Sequence, residues 1–398
     1  MTPFLRSFLF ITLAAGSLLT LFHGCIAAYD PGLKSLTADL VVVSGIITDQ
    51  NQPQTVTLSR SRSSADSSGS TPITGATVEV LADGTPLTLA ENATQPGTYQ
   101  LPVGFRGQVG HTYQLRFTTA GGITNESSEE TMPAVPPIRR AYEQPHVGLV
   151  AVSDTLVPAS DIFVDYQDPA DQVNFYLWRW RDYEVQDICA TCRQGRYVIR
   201  DVGPVGSGPL EVLGCALDTS VRSYVYFDYP CRGQCWDIFY STSIDVFSDV
   251  YTNGKAQFGH RVATIPAYGG KPGLIAIEQL SLSANAYRYY KLFADQVQNT
   301  GTLADSPPAP IAGNVKNVTN PLENVVGYFS AESVASYNYK FSRQNLGIRK
   351  FISLLRAATR RNINYEADGR RSAIFGSQFP SAICVPSRTR TDQLPPGW

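Results

Sequence analysis

From residue 39 onward the chain keeps returning to one pattern: short runs of alternating apolar and polar residues, broken by turn-forming pairs. DLVVVSGIITD opens the series at 39–49, and QTVTLSRS, GATVEVLADGTPLTLAE, GTYQLPV and HTYQLRFTTAGG follow. Period-two alternation puts the apolar residues of a run on one face of a strand. Asp83-Gly84, inside one of these runs, is a strong hairpin-turn pair. Strands at this spacing over about 95 residues predict a small β-sandwich at 38–135. Composition agrees. Tyrosine (21), glycine (32) and proline (26) are plentiful, and Glu/Lys-rich helix-forming runs are scarce. Such a mixture favours strands and turns. The Ser-rich SRSSADSSGSTP is expected to be a loop, and the Pro-rich MPAVPPIRR (132–140) a linker.

A second, larger β-rich region is expected over 136–398. DIFVDYQDPADQVNFYLWRWRDYEV (161–185) reads as strand, turn, strand, with Asp168-Pro169 in the turn. Further strands are predicted at 196–202, 223–229, 236–247 and 274–282, and again in NVVGYFSAESVASYNYKFS. One segment departs from the pattern. In SLSANAYRYYKLFADQVQNTG (281–301), Tyr287, Tyr290, Ala294 and Val297 recur at helical spacing. Ser283 is placed to cap the start, and Gly301 stands just past the end. GIRKFISLLRAATRR (347–361) fits either a strand or a basic helix. The fold class is therefore mainly β, with one or two helices.

The first 24 residues read as a signal peptide. Arg6 supplies a positive start, and an uncharged, mostly apolar run extends from Phe8 to Leu21. That run is short for a membrane span. It ends in Phe22-His23-Gly24-Cys25, with a small residue directly before a cysteine, as in bacterial lipoproteins. Cys25 is the expected lipidation site, and residues 25–37 the lipidated tether. Each buried methylene contributes about 0.8 kcal/mol, so several acyl chains anchor stably.

Seven cysteines are present. With Cys25 assigned to lipid, six remain: Cys189, Cys192, Cys215, Cys231, Cys235 and Cys384. An even set in an exported chain predicts disulfides, with about 15 connectivities open to six cysteines. Cys189-x-x-Cys192 and Cys231-x-x-x-Cys235 also have the form of a four-thiolate zinc site. Export favours oxidation over that alternative, and a redox role would need a thioredoxin-like context that the sequence does not show. Pairing here would pin an irregular loop over 186–236.

Other candidates have weaker patterns. Tyr176, Trp178 and Trp180 share one face of a strand, where they form either a stacking platform for a sugar or siderophore, or part of a core. Asp161, Asp165, Asp168 and Asp171 offer oxygen ligands for Ca²⁺, but their spacing fits no EF-hand and suits turns and strand ends. The net charge of −2 argues against general nucleic-acid binding. Between Lys340 and Arg390, however, eleven Lys/Arg face only Glu366 and Asp368. The basic stretch from Lys340 to Arg371 is either a solvated face or a surface for anionic headgroups or an acidic partner. There is no GxSxG elbow, HExxH or P-loop. No catalytic residues, metal or cofactor are assigned.

The passage from Tyr289 to Val334 resembles a block in Bacteroidota lipoproteins catalogued as domain of unknown function 4249. The residues that carry the resemblance are Tyr290, Gly301, Pro307-Pro308, Gly313-Asn314 and Val326-Gly327-Tyr328-Phe329. The opening LVVVSGIITDQNQPQTVTLSRS, PCRGQCW (230–236), Cys384 and Trp398 fit as well. The resemblance implies an immunoglobulin-like or carboxypeptidase-regulatory-like N-terminal sandwich. It also implies an outer-membrane lipoprotein encoded beside a TonB-dependent receptor. The expected function is a non-enzymatic accessory or binding component of nutrient uptake, with the membrane and such a receptor as partners. The alternatives are a structural or adhesive envelope protein, or a carbohydrate-active enzyme with two carboxylates in a cleft. After Cys25, Ile26 offers no inner-membrane retention aspartate, so the outer membrane is expected, on either face.

Overall fold

The computed structural model describes residues 40–64, 67–152, 155–201, 210–220, 226–298, 311–346 and 381–398. The first strands are β1 (Val41–Thr48), β2 (Thr55–Ser64), β3 (Ser67–Pro72), β4 (Thr77–Ala82), β5 (Thr85–Glu91), β6 (Thr98–Gln100), β7 (Thr112–Thr118), β8 (Thr124–Ser127) and β9 (Glu130–Thr131). Next come β10 (Ile138–Pro145), β11 (Val150–Val152), β12 (Thr155–Val157), β13 (Ala159–Gln167), β14 (Phe175–Val185), β15 (Ile188–Arg193), β16 (Gly195–Asp201), β17 (Leu210–Leu217) and β18 (Tyr226–Pro230). After β19 (Trp236–Tyr240), β20 (Asp245–Ser248), β21 (Ala256–Pro266) and β22 (Gly273–Leu282) comes helix α1 (Ala284–Gln298). The last strands are β23 (Val315–Asn317), β24 (Val325–Glu332), β25 (Val334–Phe341) and β26 (Arg390–Thr391). The fold is mainly β. Residues Ser61–Thr71 belong to a separate unit. There the Ser-rich stretch continues β2 and begins β3, where a loop was expected. All else described lies in the other unit, Leu40–Arg60 with Pro72–Trp398.

The first sheet runs β23-β8-β7-β4-β5-β6-β2-β1-β24. Its alternating strands bury Val43, Val56, Leu58, Val80, Leu115 and Phe117 in one core. Asp83 and Gly84 both take positive φ, 48° and 79°, the geometry of a type I′ hairpin turn. The sheet is not contiguous in sequence. β24 lies parallel to β1, from Val41 opposite Val325 to Thr48 opposite Glu332. β23 pairs with β8, and an isolated bridge joins Ala312 to Val326. The two ends of the strand path are thereby brought together. Met132, in the expected linker, is buried in this same core.

Gly313 and Gly327 explain part of the 289–334 block. A Cβ on Gly313 would lie 1.5 Å from the Gly327 carbonyl oxygen, and one on Gly327 would lie 1.8 Å from that of Val43. Gly327 also has φ +100°, which side chains rarely tolerate. Asn314 beside them acts as a backbone substitute: its Nδ2 donates to Phe329 O at 2.8 Å, and its Oδ1 accepts from Phe329 N at 2.9 Å.

Beyond residue 137 a second pair of sheets packs face to face. One is β10-β13-β21; the other is β25-β22-β14-β19-β26, with β20 also paired to β14. Ile162, Val164, Tyr166, Trp178, Ile277 and Phe341 are among the residues between them. β22 is buried along its whole length, as befits a central strand covered on both sides. Its outer face meets α1 through Leu280, Leu282, Ala286 and Tyr290. The helix begins as expected. Ser283 Oγ accepts from the Ala286 N–H at 3.1 Å and donates to Glu130 at 2.5 Å. One side chain therefore caps the helix and ties it to the end of the first sheet.

Candidate functional site

The strand partner of β14 is interrupted. β19 pairs with its C-terminal half as far as Arg181 opposite Tyr240. β20 pairs with its N-terminal half, from Trp178 opposite Asp245. Residues 241–244 therefore leave the ladder beside Trp180, where the Ser241 N–H donates to Trp180 O at 3.0 Å and Ser241 Oγ accepts from the Trp180 N–H at 3.4 Å. At this gap lies a cleft of about 460 Å³, lined by Trp180, Thr242, Ser243, Ile244, Asp245 and residues 261–264 of β21.

The aromatic stripe divides at this gap. Tyr176 and Trp178 are buried. Tyr176 donates to Asp168 at 2.7 Å and meets Tyr166 edge-on. Burial, reinforced by Asp168, pushes the Tyr176 hydroxyl pKa upward. Trp178 stacks on His260 at 5.0 Å. The sheet β10-β13-β21 covers both rings, so neither is open to a ligand. The three-residue platform thus reduces to Trp180, which is half-buried and lines the cleft.

Charged groups frame this opening. Asp245 Oδ2 lies 3.4 Å from His260 Nε2, and Arg261 Nη1 lies 3.8 Å from Asp161 Oδ2. Asp161 also accepts from Thr264 Oγ1 at 2.5 Å and pairs with His146 Nδ1 at 2.9 Å. These contacts fix Thr264 and hold an acid beside Arg261.

The four aspartates considered for calcium do not converge. Asp161 is engaged as described. Asp165 accepts from Arg140 at 2.6 Å and from the Gly259 N–H at 2.8 Å. Asp168 takes the Tyr176 hydroxyl and the Gly254 N–H at 2.9 Å, and Asp171 is exposed. Each of the first three is already satisfied by protein donors.

The six described cysteines form three disulfides: Cys189–Cys231, Cys192–Cys215 and Cys235–Cys384. The first encloses the second in sequence, around the antiparallel pairs β15–β18 and β16–β17. The third ties residue 384 to the end of this segment. Cys189, Cys235 and Cys384 sulfurs lie within 4.8 Å of one another, but each is bonded to another sulfur, and no thiolate remains to hold zinc. Cys25 and residues 347–361 lie outside the described residues.

Among the described residues, the buried acids around Glu184, Glu130 and Glu332 had no sequence signal. Glu184 is paired through both oxygens with Arg343, whose Nη1 also donates to Lys271 O at 2.7 Å. Asp182 is fully buried beside them. Burial, then the neighbouring Glu184 carboxylate, raises the Asp182 pKa well above the carboxylate range. Glu130 accepts from Tyr328 at 2.6 Å, Ser283 at 2.5 Å and Asn314 at 3.2 Å, joining four segments. Glu332 is pushed up to about 7 by burial, against the hydrogen bond from Ser330. On β14, charges at 182 and 184 continue the inward alternation of an apolar face. Sequence alone would place them as errors of pattern, and only Arg343, more than 150 residues distant, resolves the burial of Glu184.

No curated protein matches the chain. The family pattern described as "Domain of unknown function (DUF4249)" matches residues 26–338. That span covers most of the sequence, the whole of the first sheet with its Gly313–Gly327 closure and most of the other two sheets, and the chain belongs to this DUF4249 family.

Proposed function

We propose that the protein is an outer-membrane lipoprotein, anchored through acyl chains on Cys25, and a non-enzymatic binding component beside a TonB-dependent receptor. The observation that carries this reading is the cysteine pairing. All six described cysteines bond to one another, so none is left as a partner for Cys25. Disulfides also favour an oxidising, exported setting. The family match begins at residue 26, directly after that cysteine, which supports a leader ending there. The cleft at Trp180 gives a binding component a place to act.

Cell fractionation of Cys25→Ala tests the anchor. The variant is expected to leave the membrane fraction while keeping the non-reducing gel mobility of the disulfide-bonded protein. Retention in the membrane, or scrambled disulfides, contradicts the assignment. Crosslinking in intact cells tests the partner. Co-purification of a TonB-dependent receptor is expected, and its absence leaves a structural or adhesive envelope role.

A further inference from the structure

The cleft beside Trp180 is built in a way that selects among ligand classes. Its volume, about 460 Å³, falls in the range of small-ligand sites, about 300–1,000 Å³. It exists because four residues, 241–244, leave the sheet opposite Trp180. The ring is half-buried against the core between the sheets, so it offers a fixed aromatic surface at little entropic cost. Around it stand the exposed Thr242 and Ser243, the carboxylate of Asp245 and the guanidinium of Arg261. Asp245 is about one-third exposed and Arg261 about half exposed at the side chain.

The charges narrow the choice. Asp245 and Arg261 cancel within the lining, and Asp161 beside Arg261 removes further positive potential. A phosphate or polycarboxylate would meet an opposing carboxylate with a single, already engaged cation. A purely apolar ligand would strip water from two ionic groups without replacing their hydrogen bonds, which is costly. A neutral pyranose has the complementary form. One face consists of C–H groups that lie on an aromatic ring, while its edge carries hydroxyls that both donate and accept. Donation to Asp245 and acceptance from Arg261 give charge-assisted hydrogen bonds, which are stronger than neutral ones. The supporting contacts also restrain the site. His260, stacked on Trp178, stands beside Asp245, and Asp161 holds Thr264.

We infer that this cleft binds a neutral saccharide, with the ring of Trp180 as the stacking surface and Asp245 and Arg261 as hydroxyl partners. The inference rests on the reading of the chain as a binding component. Its test is independent of the anchor and the receptor, because it uses purified full-length protein in mild detergent.

The probes are methyl glycosides of glucose, galactose, mannose, xylose and N-acetylglucosamine, with maltose and cellobiose. Inorganic phosphate and citrate serve as anionic counter-probes. Isothermal titration and tryptophan fluorescence read binding. At least one neutral saccharide is expected to saturate, and Trp180→Ala and Asp245→Asn are each expected to weaken it roughly tenfold or more. Ser243→Arg, on the exposed rim, fills the cleft without touching the core and is expected to abolish binding. Tyr251→Ala, an exposed aromatic outside the lining, is expected to leave it unchanged. Circular dichroism establishes that each variant is folded. The inference is overturned if no neutral saccharide of the panel binds. It is also overturned if binding survives both Asp245→Asn and Ser243→Arg, or if phosphate or citrate binds in place of the sugars.

Discussion

Gly327 shows how one residue closes a sheet. With φ at +100° and the Val43 carbonyl oxygen 1.8 Å from any added Cβ, the backbone of β24 can approach β1 only without a side chain. Gly327→Ala is expected to destabilise the protein by about 3 kcal/mol or more, read as a lower urea midpoint at unchanged slope. Glu332 offers a second test at this scale. Its carboxyl sits near 7 in the fold against an ordinary 4.5. Between those values the folded chain holds a proton that the unfolded chain has released. Its contribution therefore falls as pH rises from 4.5 to about 7, and stays lost above that. Glu332→Gln mimics the protonated form. It is expected to add on the order of 3 kcal/mol at pH 8 and nothing near pH 4. Thermal melts across that range check the sign. Burial also raises Asp182, Glu184 and Asp249, so the variant makes the decline shallower and does not abolish it.

At the scale of elements, local signals were readable and long-range partnerships were not. Alternation identifies β1, β4 and β7, and the cap at Ser283 identifies α1, because each depends on residues a few positions apart. The pairing of β1 with β24 has no local signature, since a strand records which face is buried but not its neighbour. The same limit governs Trp180. It shares a face with Tyr176 and Trp178, and only the departure of residues 241–244 from the ladder distinguishes it. The cysteines were legible as a set of six, but their connectivity depends on three-dimensional proximity. That connectivity has an energetic consequence. Cys192–Cys215 spans 23 residues and Cys235–Cys384 spans 149. In the chain-entropy description these loops are worth about 3 and about 5 kcal/mol. Replacing Cys235 and Cys384 by Ser is therefore expected to lower stability more than replacing Cys192 and Cys215. Guanidinium unfolding of the two double variants tests the order.

In the molecule as a whole, the seven cysteines take two roles under the proposed function. Six fasten the second β region, through bridges that join the pairs β15–β18 and β16–β17 and hold residue 384 against residue 235. On the proposed reading, Cys25 carries the membrane anchor. That division is decided most directly by mass spectrometry of unreduced peptides from protein purified out of membranes. The predicted result is an N-terminal peptide that begins at Cys25 and carries acyl chains, together with linked peptides for Cys189–Cys231, Cys192–Cys215 and Cys235–Cys384. A peptide running unmodified through Gly24 and Cys25, or any disulfide that includes Cys25, would contradict it.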